Sequence, residues 1–184
     1  MKNYLLEQYN TQYRHDLLTK LNCVHSYKLP KLEKIVINMG VKDSNVQKNT
    51  LLIPFFILLL ITGQKPIPTK AKKSIALFKL RKGMYSGLKV TLRNDAMYEF
   101  LMKLIMIILP KNKDFVKFKL SKNARKNMFS IGIKNALLFP EVEKQVDNNK
   151  ISNIYGCNVT IVTSESNIIT SQLLLSLFGI PFTK

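Results

Sequence analysis

The chain has no tryptophan, only two cysteines, two histidines, and 11 acidic residues against 29 lysines and arginines. Cys23 and Cys157 lie far apart and form no CxxC pair, which excludes a disulfide framework, a zinc cluster and thiol redox chemistry. They read as small buried hydrophobes in a reducing compartment. His15 and His25 fall in or near the first helix, with no paired acid in the cation-rich region, so general acid–base catalysis lacks its parts. No cofactor, metal or catalytic residue is expected. The apolar run at 51–61 has eleven residues and a proline at 54, whereas a membrane span needs about 20. It reads as a buried helix, and membrane insertion is not expected. The N-terminus lacks both the apolar core of a secretory signal and the Arg/Ser-rich, acid-poor pattern of a transit peptide, so it reads as mature protein.

What remains is a basic, apolar chain. Its 184 residues suffice for one core without staples, and 46% hydrophobic content excludes a disordered basic tail. The formal charge of +18 repels itself unless a polyanion neutralises it. Apolar residues at Leu6, Tyr9, Tyr13, Leu17 and Leu21 predict an amphipathic N-terminal helix. Residues 33–39 are rich in β-branched residues and end at Gly40, as a strand does, with Asn38 on the face of Lys34 and Val36. A buried helix is expected over 47–62, closed by Gly63, with Pro54 kinking it or marking its start. Residues 74–81 and 88–93 read as the two strands of a long hairpin around the loop 82–87. A helix from Asn94 or Asp95 carries the stripe Met97, Phe100, Leu101, Leu104 and Ile108 and stops before Pro110. After a polar, Lys-rich connection at 111–127, short strands are expected at 129–133, 136–139 and 159–163. Asn167 then caps a last helix with Ile169, Leu173 and Leu177 on one side, ended by Gly179 and Pro181. No internal repeat is present. The class is α+β: an antiparallel sheet with helices packed on one face, the other face free.

Charge is distributed unevenly. Between Asp43 and Asp95 there is no acid, yet Lys48, Lys65, Lys70, Lys72, Lys73, Lys79, Arg81, Lys82, Lys89 and Arg93 lie in that gap. A solvated surface interleaves acids with bases, whereas a strip of one sign suits nucleic-acid phosphates. A second cluster, from Lys111 to Lys126 and broken only by Asp114, reads equally as a solvated loop or as a contact.

The order and spacing of several strings go beyond composition. They are Ile37-Asn38-Met39-Gly40-Val41, Gly63-Gln64-Lys65-Pro66, Thr69-Lys70-Ala71-Lys72-Lys73-Ser74, Phe78-Lys79-Leu80-Arg81 and Lys89-Val90-Thr91-Leu92-Arg93. Downstream follow Leu109-Pro110, Asp114-Phe115, Ser130-Ile131-Gly132-Ile133, Phe139-Pro140-Glu141, Gly156 with Val159-Thr160-Ile161, and Pro181-Phe182. Together they resemble the large-subunit ribosomal protein five family over nearly the whole chain. The resemblance implies one domain over 1–184, with the main RNA-binding strip and hairpin in 1–93 and a C-terminal half in 94–184. It implies a non-enzymatic role: binding 5S rRNA, or a substitute rRNA, in the central protuberance through the free sheet face and edge loops.

The site residues it implies for rRNA are Asn38, Gln64, Lys65, Lys70, Lys72, Lys73, Lys89, Thr91 and Arg93. A hairpin of Lys79, Arg81, Lys82, Gly83, Met84 and Tyr85 would face the elbow of the P-site tRNA, and 139–149 would meet a small-subunit head protein across an intersubunit bridge. Large-subunit rRNA and neighbouring large-subunit proteins complete the implied partners. Met84-Tyr85-Ser86-Gly87 stands where the family has Tyr-Pro-Ile-Gly, so the Pro-stiffened tip is lost. Abundant Lys, Asn, Ile and Leu, together with 159–164, resemble mitochondrial members, with a bacterial cytoplasm as the alternative setting. The competing functions are an RNA-processing enzyme and a basic protein that docks on lipid through 51–61.

Overall fold

The computed structural model describes residues 4–21, 25–41, 51–78, 80–112, 127–146, 155–164 and 167–182. Among them the helices are α1 (Tyr4–Gln8), α2 (Arg14–Leu21), α3 (Leu52–Thr62), α4 (Asn94–Lys103), α5 (Leu109–Lys111), α6 (Pro140–Val146) and α7 (Ile168–Leu177). The strands are β1 (Leu32–Gly40), β2 (Ile67–Lys70), β3 (Tyr85–Leu92), β4 (Met128–Ile133) and β5 (Cys157–Thr163). The strands form one antiparallel sheet in the order β2-β3-β1-β5-β4, and the fold is α+β as expected.

The sheet follows from period-2 patterning. Ile35, Ile37 and Met39 of β1 are fully buried while Glu33 and Asn38 are exposed, and in β3 Leu88, Val90 and Leu92 are buried while Lys89 and Thr91 are exposed. A strand whose side chains alternate in this way has one dry and one wet face.

Contacts divide the chain into two compact units, each assembled from separate stretches. One comprises Met1–Ile35, Leu92–Ile131 and Thr160–Lys184; the other comprises Val36–Thr91 and Gly132–Val159. Each unit takes in stretches from both 1–93 and 94–184.

In the first unit, an aromatic cluster joins the N-terminal helical segment to the C-terminal one. The Phe178 ring stacks on Tyr9 at 6.2 Å, meets Tyr13 edge-on at 5.4 Å and lies 6.3 Å from Tyr98. The buried Tyr9 hydroxyl donates to the Pro30 carbonyl at 3.0 Å, so its polar end is satisfied. Asn167 caps α7 as expected, accepting from the Ile169 N–H. The buried side of α7 is Ser171, Leu174 and Leu175, however, and Ile169 points outward at 67% exposure. The helix from Asn94 does not stop before Pro110. A π-helical stretch at Leu104–Ile108 carries it into α5, where Pro110 occupies the first turn and needs no donor.

In the second unit, Pro54 lies in the first turn of α3, where its missing N–H has no intrahelical acceptor to leave unpaired, and Gly63 closes the helix in the left-handed conformation (φ 65°). The helix is not buried all round: Pro54, Ile57, Leu58 and Ile61 face inward, while Leu52, Phe56 and Leu60 are exposed. Residues 47–50 of the expected helix lie outside the described ones. Residues 74–81 are not a strand; β3 pairs instead with β2, in the register Ile67↔Lys89, Pro68↔Leu88 and Thr69↔Gly87, slipping by a bulge to Lys70↔Tyr85. Residues 136–139 are not a strand either. Asn135 accepts from the Leu137 N–H at 2.8 Å and starts a 3₁₀ turn (Ala136–Leu138) that runs into α6 at Pro140. Most of the connection at 111–127 lies outside the described residues.

β3 approaches β1 most closely at Gly87, where a Cβ would sit 2.5 Å from the Met39 carbonyl oxygen and 3.2 Å from the Gly40 Cα. Backbone cannot yield as a side chain can, so Gly87→Ala is expected to destabilise the protein by about 2 kcal/mol or more and to lower Tm by roughly 4–8 °C. At Gly40 a Cβ meets nothing within 4 Å, and Gly40→Ala should leave the melting curve within about 2 °C of the wild type.

Candidate nucleic-acid interface

The wet face of β1 and β3 brings three of the expected residues together. Asn38, Lys89 and Thr91 are exposed on neighbouring strands, opposite the buried Ile37, Met39, Leu88, Val90 and Leu92. Direct pairing with Lys89 puts Ile67 on this face as well, at 60% exposure. In the same unit, β5 exposes Asn158, whose side-chain oxygen lies 3.3 Å from where a Cβ would stand on Gly132 of β4. Alternation along 157–161 and 128–133 was the signal for these positions, and sequence reasoning did not use it.

Gln64 and Lys65 are exposed just past the end of α3. The Gly63 N–H donates to the Leu59 carbonyl at 2.8 Å, and the Thr62 hydroxyl accepts from the Gln64 N–H at 3.3 Å, so the turn that presents them is fixed locally. Pro66 is buried and anchors the next step. At the end of β2 the bulge places the Lys70 ammonium 5.4 Å from the centre of the Tyr85 ring, which pre-positions a cation that four rotatable bonds would otherwise leave free. Lys72 and Lys73 follow in an exposed bend. Arg93 is exposed in extended backbone (φ −139°, ψ 166°), directly before Asn94, which has φ 49°.

The hairpin beyond β2 and β3 differs from the expected one. The Ala71 N–H donates to Met84, the Gly83 N–H to Ala71, the Lys82 N–H to the Ser74 hydroxyl, and Ile75 and Leu80 exchange hydrogen bonds at 2.8 and 3.1 Å. Each bond closes the loop further outward, so the distal end is the 3₁₀ turn Ala76–Phe78, not the glycine loop 82–87. Leu77 at this end is 86% exposed. Arg81, Lys82 and Gly83 are exposed below it, Met84 and Tyr85 are half-buried, and Lys79 lies outside the described residues. Gly83 has φ 91°, a backbone conformation that suits glycine.

Among the described residues, no carboxylate pairs with Lys65, Lys72, Lys73, Arg81, Lys82, Lys89 or Arg93. Within the second unit, the unneutralised cations among these and the exposed Asn38, Gln64 and Thr91 have the chemistry a folded polyanion needs: ammonium and guanidinium groups suit phosphates, and amide and hydroxyl side chains suit ribose or base edges. Nucleophilic chemistry has less support. Burial pushes the Cys157 thiol from 9.0 up to about 12, so it holds its proton at neutral pH. His15 and His25 are exposed. Among the described residues no group of three or more His, Cys, Asp or Glu could hold a metal ion, and no helix is long and apolar enough to cross a membrane.

Residues 25–81 match the family model described as ribosomal protein L5, and residues 85–182 match that of the ribosomal L5P family C-terminus. The chain belongs to the ribosomal protein L5 family. It is also 46% identical over 182 residues, covering 99% of each chain, to large ribosomal subunit protein uL5m of Reclinomonas americana. Members of the L5 family are structural constituents of the large subunit, not enzymes, so the RNA-processing alternative falls away.

The buried thiol and Tyr98, whose hydroxyl burial likewise pushes from 10.0 up to about 12, also set a pH dependence. Both folded-state values are raised, so their contribution is fully present below the ordinary values and is lost as pH rises toward about 12. Urea melts between pH 8 and 11.5 should show stability falling with pH, and Cys157→Ala should make that fall shallower. A profile flat across this range, or one that Cys157→Ala leaves unchanged, would contradict the burial of the thiol.

Proposed function

We propose that this L5-family protein holds 5S rRNA, or an RNA that replaces it, in the central protuberance of the mitochondrial large subunit. The observation that carries the reading is the joint exposure of Asn38, Lys89 and Thr91 on adjacent strands, in the same unit as the exposed Gln64, Lys65, Lys70, Lys72 and Lys73. Phosphate contacts from Lys65, Lys70, Lys72, Lys73, Lys89 and Arg93 supply affinity, and Asn38, Gln64 and Thr91 fix register on the RNA. The mitochondrial setting rests on the full-length resemblance to uL5m.

The loop at 71–84 reaches the P-site tRNA in this reading. Its backbone is closed by four successive cross-loop contacts, so Arg81 and Lys82 are presented at a defined height below an apolar end. The tip therefore touches tRNA through Leu77 as well as through cations, and the loss of the family's tip proline is offset by the Ile75–Leu80 pair. Across the subunit interface, α6 with exposed Glu143 and Lys144 is the described part of the segment at 139–149 that meets a small-subunit head protein. Residues 147–149 lie outside the described ones.

Filter binding of the full-length protein to a 5S rRNA transcript across 50–300 mM salt tests the central claim. Lys70→Ala and Lys73→Ala should each lower the slope of log affinity against log salt by about 1. Asn38→Ala and Thr91→Ala should weaken binding about fivefold, one hydrogen bond of about 1 kcal/mol each, with the slope unchanged. Four variants that all bind like the wild type would sink the reading.

A further inference from the structure

A second acid-free stretch runs from Asp16 to Glu33 and contains Lys20, Lys28 and Lys31. In it, a short turn at 25–31 presents the most exposed aromatic residue among the described ones, Tyr27 at 92% exposure. The backbone beneath that ring is held firmly. The Lys28 N–H donates to the His25 carbonyl at 3.1 Å, closing a 3₁₀ turn. Leu29 is 2% exposed and Pro30 is buried, with the Pro30 carbonyl accepting the Tyr9 hydroxyl at 3.0 Å. Lys31 and Ser164 then exchange two bonds: the Lys31 N–H donates to the Ser164 hydroxyl at 2.9 Å, and the Ser164 N–H donates to the Lys31 carbonyl at 2.8 Å. His25, Lys28 and Lys31 are exposed, and Tyr27 makes no hydrogen bond or ring contact among the described residues.

A single exposed hydrophobic side chain needs no explanation by itself. This one differs in its setting: a 3₁₀ turn closed by the His25–Lys28 bond, an anchor at 29–31 on its C-terminal side, no acid between Asp16 and Glu33, and two exposed lysines directly after it. A protein partner would be recognised with acids to match, and a lipid surface would need more than one apolar side chain. A base in a single-stranded or looped RNA offers an apolar face next to phosphates, which matches an exposed ring followed in sequence by two exposed lysines, Lys28 and Lys31.

We infer that Tyr27 is a stacking platform for an unpaired nucleobase of ribosomal RNA, with Lys28 and Lys31 neutralising the phosphates beside it. The inference rests on the ribosomal reading above and adds a contact outside the strip at 44–94. The pinned turn means that little ordering entropy is lost when the base docks.

The test uses full-length protein with two probes, a 5S rRNA transcript and a transcript of the large-subunit rRNA, which separate the two sources of an unpaired base. On one of them Tyr27→Ala should bind about tenfold more weakly with an unchanged salt slope. Tyr27→Phe should bind as the wild type does, because stacking uses the ring and not the hydroxyl. Ultraviolet cross-linking should join Tyr27 to an unpaired base of that transcript. With so exposed a side chain, the melting temperature of Tyr27→Ala should match the wild type. Wild-type binding by Tyr27→Ala on both probes, with Lys70→Ala still losing slope, would overturn the inference and leave the sheet-face reading standing. Equal weakening by Tyr27→Phe and Tyr27→Ala would replace stacking by a hydroxyl contact and likewise overturn it. If Lys70→Ala and Tyr27→Ala were both silent, both readings would fall.

Discussion

The contact between the backbones of β1 and β3 at Gly87 fixes which side chains of this unit meet solvent. The Met39 carbonyl lies where any side chain on residue 87 would begin, and the Val41 N–H donates to the Ser86 carbonyl at 3.1 Å, so the strands are locked at a single register. A slip of one residue would turn Leu88, Val90 and Leu92 outward and bury Lys89 and Thr91. An unpaired buried ammonium is costly enough to exclude that arrangement. The register that buries the apolar set is therefore the one that sets Lys89 and Thr91 beside Asn38. Core packing and site geometry are one constraint here.

The same economy governs the loops. Edge strand β2 is only four residues long and carries Pro68, which cannot donate to a further strand. The short, proline-bearing edge resists pairing with another chain, and the bulge at its end holds the Lys70 ammonium over the Tyr85 ring. The loop beyond is closed by cross-loop bonds from Ala71–Met84 out to Ile75–Leu80, so its backbone is held by internal contacts up to the turn at Ala76–Phe78.

Period 2 in β1, β3 and β4 was legible because those strands each have a wet and a dry face, whereas β5 alternates only over 157–161 and buries Ile161, Val162 and Thr163 in succession. Capping by Asn167 and the close at Gly63 were legible because each rests on a side chain or a conformation that few residues provide. The hairpin partner was misplaced because the true partner, β2, is a four-residue edge strand interrupted by Pro68, which leaves little strand pattern in the sequence. Ile75 and Leu77 looked like strand residues, yet they serve a protruding turn. The run at 51–61 read as buried because composition cannot distinguish a helix covered on all sides from one with Leu52, Phe56 and Leu60 on its outer side. The helix through Pro110 escaped notice because a π-helical stretch, which leaves no simple sequence mark, moves the proline into a new first turn. Of the site, the residue types and their strip were readable, whereas their neighbours in space, such as Asn158 and Gly132, required the sheet.

A charge of +18 on a chain that is 46% hydrophobic presents a conflict that the fold resolves only in part. Burying the apolar face of the sheet drives collapse, but collapse also crowds cations that no described carboxylate neutralises. A sequence selected for the stability of the free protein would place acids among Lys65, Lys72, Lys73, Lys89 and Arg93, as solvated surfaces do. Their absence is local frustration, which pairing with RNA would relieve under the proposed function. A polyanion that binds the folded arrangement of these cations in preference to the unfolded chain would add to the protein's stability by mass action. The features that make the isolated protein electrostatically strained are thus the ones that couple its folding to assembly.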